Sequence, residues 1–181
     1  MLLQTPPGEI GWQAADFTLP DPDGSRYRLA DMLGKSPLLI AFICNHCPYV
    51  QAIAARLAED ADTLRGEGIK VLAVMSNDYH SVPADSPENM KRFADFYGFG
   101  FPYLVDEDQS VARNYGAVCT PDFFGFNAEG HLHYRGRLDD AGRMGAGQRN
   151  RELVDAMRQI AKTGTGPAAQ YPSIGCSIKW R

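Results

Sequence analysis

Residues 37–43, PLLIAFI, form an unbroken apolar run rich in β-branched and aromatic side chains. A run of this kind reads as a β-strand buried on both faces. The next thirty residues narrow the fold further. PYVQAIAARLAEDADTLRGEG places Val50, Ile53, Ala54, Leu57 and Leu64 at helical spacing and stops at Gly66 and Gly68, and KVLAVMS, 70–76, is a second strand. Strand, helix and strand in that order make a βαβ unit, with parallel strands and a right-handed crossover.

The rest of the chain fits around this unit. Residues 16–32, DFTLPDPDGSRYRLADM, alternate on both sides of Pro22-Asp23-Gly24 and predict a hairpin. A Pro, Asp and Ser loop over 77–87 leads into a helix over roughly 87–98, with Met90, Phe93, Ala94 and Tyr97 on one face. FPYLVD and the helix DQSVARNYGA come next. DFFGF and HLHYRGR then flank Asn127-Ala128-Glu129-Gly130 as a second hairpin. RELVDAMRQIAKTG is the last helix, and a tail ends in SIGCSIKWR.

With 181 residues the chain fits one domain, large enough for a core without disulfide staples. A net charge of −4 excludes an electrostatic case for nucleic acid or an anionic membrane. The longest apolar run is far shorter than the roughly 20 residues needed to span a bilayer, and the N-terminus lacks a basic region followed by an apolar core. We therefore expect a soluble, cytoplasmic protein.

The chemistry sits where the first strand meets its helix, in Cys44-Asn45-His46-Cys47-Pro48. A helix N-terminus carries unpaired N–H groups and about half a positive charge, which stabilise a thiolate. Pro48 suits a first helical turn, so both cysteines lie at or just before the helix start. His46, when protonated, adds positive charge beside them. Cys44, on the loop side, is expected to be the exposed nucleophile and Cys47 the resolving thiol. The pair would shuttle two electrons with no cofactor and no metal.

Two other uses of these cysteines compete. A C-x-x-C supplies half of a four-ligand zinc site, with Cys119, Cys176, His80, His131 and His133 as completions, but neither a second C-x-x-C nor an H-x-x-x-H occurs. Buried, inert cysteines are common. Redox chemistry is the leading reading.

Larger segments then show a resemblance. ADFTLPDPDG, FICNHCPYV and TPDFFGFNAEGHLHYRGRLDD resemble the N-terminal hairpin, active-site turn and final hairpin of thioredoxin-fold proteins of the alkyl hydroperoxide reductase and thiol-specific antioxidant (AhpC/TSA) branch. SIGCSIKW resembles the tail of a peroxiredoxin-like subgroup. The resemblance implies an α/β, thioredoxin-like fold: a central mixed β-sheet flanked by helices, an N-terminal β-hairpin, a domain over 1–163 and a C-terminal tail, 164–181, packed on it. In such proteins a cis proline faces the cysteines, and the residue before it offers backbone hydrogen bonds to an extended substrate. Pro121 and Thr120 match these positions. Peroxiredoxins have T-x-x-C-P at the turn; here Cys44 replaces the hydroxyl residue and Cys47 takes the peroxidatic position.

The leading expectation is a thiol-disulfide oxidoreductase acting on a disulfide-containing protein or a small-molecule thiol or disulfide, with an unidentified electron donor. The runner-up is a thiol peroxidase acting on a hydroperoxide, with Cys47 peroxidatic and Cys44 resolving; Arg135 or Arg137 would then supply an activating cation. A non-enzymatic redox-sensing module is the third reading. Asn45, His46, Pro48, Thr120 and Pro121 are supporting residues. Phe123, Phe124 and Cys119 are expected in the core. Ile174, Ile178 and Trp180 alternate as in an extended segment laid on an apolar surface, which would make Cys176 a candidate auxiliary thiol.

Overall fold

A computed structural model describes residues 1–145 and 147–181. Its centre is a five-stranded mixed sheet of β4 (Leu38–Phe42), β5 (Lys70–Met75), β6 (Tyr103–Val105), β8 (Asp122–Phe126) and β9 (Leu132–Gly136), in the order β6-β5-β4-β8-β9. β4, β5 and β6 run parallel; β8 and β9 run antiparallel. This mixed sheet is the thioredoxin-like arrangement that the resemblance implies.

β4 is buried along its whole length because its two faces feed two cores, as period-2 side-chain alternation dictates. Leu39, Ala41 and Ile43 pack with Val50, Ile53 and Leu57 of α2 (Pro48–Gly66) and Leu153 and Met157 of α5 (Glu152–Thr163). On the other face Leu38, Ile40 and Phe42 meet Val111, Ala112 and Tyr115 of α4 (Ser110–Tyr115), together with Phe17, Leu19 and Leu29. Phe123 and Phe124 are core residues, one in each cluster. The N-terminal hairpin pairs β2 (Thr18–Pro20) with β3 (Arg26–Arg28), and residues Leu29–Met32, expected to continue it, turn instead into the short helix α1. α3 (Pro87–Tyr97) starts at Ser86, whose side chain accepts the Asn89 N–H.

The C-terminal segment joins a second, three-stranded sheet. β10 (Ile174–Ser177) lies between β1 (Leu2–Gln4) and β7 (Cys119–Thr120), antiparallel to both, with Cys176 opposite Leu2 on one side and Thr120 on the other. Gly175 permits this: a Cβ there would collide with the Thr120 carbonyl oxygen. Beyond β10, Asp78 N donates to Lys179 O, Lys179 N donates to Asn77 Oδ1, and the Gln109 side chain bonds both Lys179 O and Arg181 N. Gln109 holds a left-handed backbone, φ +64°, uncommon outside glycine. The expected apolar stripe does not carry the docking: Ile178 is buried, but Ile174 and Trp180 are largely exposed, and Trp180 lies under the Arg113 guanidinium. Backbone bonds hold the arm instead. No helix among the described residues is long and apolar enough to cross a membrane.

Candidate active site

Cys47 is the N-cap of α2 and Pro48 its first residue, so the thiol pair sits on the turn leaving β4. Cys44 is 1% exposed and Cys47 fully buried. Thr120 lies across from both: its Oγ1 is 3.4 Å from Cys44 Sγ, and its carbonyl oxygen is 3.4 Å from Cys47 Sγ. The Thr120–Pro121 peptide bond is cis. β7, the cis bond that follows it and β10 thus bring Thr120, Pro121 and Cys176 to a turn that is more than 70 residues away along the chain.

The two thiols are polarised in opposite directions. The Cys44 thiol donates to Cys47 Sγ, and the Cys176 thiol and the backbone N–H groups of Val50 and Cys176 add to this, so Cys47 is drawn down to about 4 against its burial. Cys44 is pushed well up by its bond to Cys47, by burial and by the charge of Asp85. The contact of Cys47 Sγ with the Thr120 carbonyl favours a thiol on Cys47, but four donors outweigh one acceptor. The surroundings therefore favour the negative charge on Cys47 and the proton on Cys44. Cys44, expected to be the exposed nucleophile, is buried, because the arm and β7 cover the turn, and the donors converge on Cys47 instead.

A buried acid, unforeseen from the sequence, organises the turn. Asp85 accepts the backbone N–H of Asn45 at 2.8 Å and of His46 at 3.2 Å, His46 Nδ1 at 2.5 Å and Asn77 Nδ2 at 2.9 Å. These donors hold Asp85 ionised despite its burial; His46 and Asn77 contribute most. The same hydrogen bond and charge raise His46 above its ordinary value. Since a carboxylate faces Nδ1, that nitrogen carries the proton, and it also lies 3.7 Å from Cys44 Sγ. Asn45 is locked in turn by Ala84 O and by the buried Tyr103 hydroxyl, 2.9 Å from its Oδ1. Asn77 bonds Asp85 with its nitrogen and the arm with its oxygen. Only the loop's richness in Asp and Ser hinted at such a group, and nothing distinguished Asp85 from Asp78.

Other expectations resolve away from the thiols. Arg135 is buried in an ion pair with Asp122 and Arg137 is paired with Glu152, so both guanidinium groups already have carboxylate partners. His80 pairs with Glu107 at the surface. Among the described residues the one cluster with ligand atoms close enough for a metal is Cys44, His46 and Asp85, within 4.8 Å, and it does not include His80, His131, His133 or Cys119. Asp85 has its acceptor capacity met by four protein donors, so the cluster is satisfied without an ion. Cys119 is buried and pushed up to about 12 by burial and Asp122.

The AhpC/TSA family model matches residues 10–135, which contain the turn, Asp85, Thr120 and Pro121. The chain belongs to the AhpC/TSA family. It is 30% identical over 135 residues to peroxiredoxin Bcp of Escherichia coli, covering 75% of this chain and 81% of that one. It is 27% identical over 123 residues to the thiol-disulfide oxidoreductase ResA of Halalkalibacterium halodurans, covering 67% and 65%. The crystal structure of a hypothetical protein from Sinorhizobium meliloti superposes with a TM-score of 0.93 at 41% identity over 98% of both chains. A secreted disulfide oxidoreductase of Mycobacterium tuberculosis shares the fold, with a TM-score of 0.56 at 22% identity over 64% of this chain and 79% of that one. This AhpC/TSA protein is a thiol redox enzyme rather than a non-enzymatic sensing module.

Proposed function

We propose that the protein is a thiol-disulfide oxidoreductase in which Cys47 attacks and Cys44 resolves. The observation carrying this is the opposed polarisation of the two thiols at the start of α2. The Cys47 thiolate attacks one sulfur of a substrate disulfide, forming a mixed disulfide and releasing the other sulfur as a thiolate. Cys44 then gives its proton to that departing thiolate and attacks Cys47 Sγ, closing the Cys44–Cys47 disulfide and releasing the second substrate sulfur as a thiolate. His46 Nδ1–H, anchored by Asp85, faces Cys44 Sγ and stabilises the thiolate forming there. Thr120 orients both sulfurs. An external dithiol returns the pair to the reduced state, and a reducing, cytoplasmic setting suits that cycle.

A cleft of about 310 Å³ beside Pro121, lined by Tyr49, Ile53, Phe123 and Ile174 with Arg143 at its rim, offers an apolar approach for substrate. The peroxidase reading shares Cys47 as the attacking sulfur at the Cys47-Pro48 step. It is weakened by Cys44 standing in the hydroxyl position and by the carboxylate partners of Arg135 and Arg137. Insulin reduction and hydrogen peroxide consumption, measured side by side, test both. Cys47→Ser abolishes turnover, whereas Cys44→Ser, combined with Cys176→Ser so that no neighbouring thiol can resolve the product, completes the first step and traps a mixed disulfide with insulin. A dead Cys44→Ser/Cys176→Ser protein that traps nothing, with an active Cys47→Ser protein, refutes the assignment of roles.

A further inference from the structure

Burial poses a problem for this exchange. Cys44 and Cys47 are closed off from solvent, and the backbone edge of Thr120, where the resemblance puts an extended substrate, is taken by the chain's own β10. The arm lies antiparallel there with Cys176 opposite Thr120, in the manner of a bound peptide. Thr120, its partner in the ladder, contacts Cys44 Sγ through its hydroxyl and Cys47 Sγ through its carbonyl, which sets Cys176 beside the pair, and the Cys176 thiol and N–H help draw Cys47 down. Among the four cysteines, Cys176 alone keeps partial exposure. The geometry points to Cys176 as a relay thiol through which the buried Cys44–Cys47 pair exchanges electrons with a protein dithiol too bulky to reach it. The inference rests on the reading that Cys44 and Cys47 close a disulfide.

The relay balances in sulfur and electrons. Starting from the oxidised enzyme, Cys176 loses its proton and its sulfur attacks Cys47 Sγ; the Cys44–Cys47 bond breaks, Cys44 leaves as a thiolate and takes up the proton, and a Cys47–Cys176 disulfide forms. A thiolate of the external dithiol then attacks the more exposed Cys176 Sγ and expels Cys47 as a thiolate. The second thiol of the dithiol attacks its own sulfur in this mixed disulfide, releasing reduced Cys176 and the oxidised partner. Two electrons and one proton move from the dithiol monoanion to the enzyme, and Cys47 ends as a thiolate. Cys47 is the favoured leaving group because a thiol of low pKa departs faster. Cys176, pushed up to about 11 by burial and its bond to Cys47, stays a thiol until it is called on for exchange.

Removing Cys44 should strand the relay at its intermediate. Reduced Cys44→Ser and Cys44→Ala proteins are oxidised with diamide, their free thiols alkylated, and the peptides mapped; a Cys47–Cys176 linkage is expected in both. Gly175→Ala, made in the Cys44→Ser background, drives a Cβ into Thr120 O, displaces the arm and should abolish the linkage. In a second measurement, oxidised Cys176→Ser is reduced by dithiothreitol or by reduced thioredoxin as the protein dithiol. Reduction by thioredoxin should slow about tenfold or more, and by more than reduction by dithiothreitol. A fully alkylatable Cys176 in both Cys44 variants overturns the relay, and so does thioredoxin reduction of Cys176→Ser at the wild-type rate. Should the wild type itself fail to form Cys44–Cys47 on oxidation, it is the proposed function that falls.

Discussion

Replacing Asp85 with Asn tests whether a buried carboxylate holds the active-site turn. The variant keeps the shape and one carbonyl, which still accepts the Asn45 and His46 N–H groups at the Oδ1 position. Its new amide NH₂ faces two donors, Asn77 Nδ2 and His46 Nδ1. Two charge-assisted bonds are lost, each worth about 1.5–3 kcal/mol. The His46 side chain is 29% exposed, so its share is discounted for solvent and the total comes to about 3 kcal/mol. For a chain of this size that lowers the melting temperature by about 6–12 °C.

The pH dependence carries a definite sign. His46 has a raised folded-state value, so its contribution is complete below the unfolded value of about 6.5 and is lost as pH rises through the raised one. Asp85 has a depressed value, so its contribution is present above about 3.9 and is lost as pH falls through the depressed one. The gap between wild type and Asp85→Asn is therefore widest at about pH 4–6.5 and narrows on the alkaline side. Thermal unfolding followed by circular dichroism at about pH 6 and about pH 9.5 reads it directly. A gap below about 2 °C at the lower pH, or one equal at both, refutes Asp85 as the charged anchor of the turn.

The remaining predictions concern ionisation and stability. The thiolate absorbance of the reduced protein should rise with a midpoint near 4, disappear in Cys47→Ser, and shift to higher pH in Cys176→Ala as the side-chain donor from the arm is lost; a midpoint near 9 in the wild type would contradict the opposed polarisation of the pair. Asp139→Ala removes the shared partner of Arg56 and Arg149, leaving buried guanidinium charge behind. It should cost about 3–5 kcal/mol in urea unfolding. Asp139→Asn, which keeps an acceptor for Arg56, should cost less.

What the sequence determined by itself is everything encoded by neighbours along the chain. The alternation within PLLIAFI gave β4 its two buried faces, the spacing from Val50 to Leu64 gave α2 its apolar side, and Pro48 placed the cysteines at that helix's start. The match of Thr120-Pro121 to a family pattern pointed to the strand that faces them. The tertiary structure alone set the opposed pull on the two sulfurs. A thiol's pKa is set by the donors and charges within a few ångströms, and here they come from Val50, Asp85 and Cys176, the last 129 positions after Cys47. Asp85 escaped notice for the same reason: in a polar loop one acid resembles another until folding withdraws it from water and surrounds it with N–H groups. The arm shows the converse. Its apolar alternation suggested docking through side chains, yet Gly175 and the backbone groups hold it, and backbone pairing between distant strands leaves no periodicity to read.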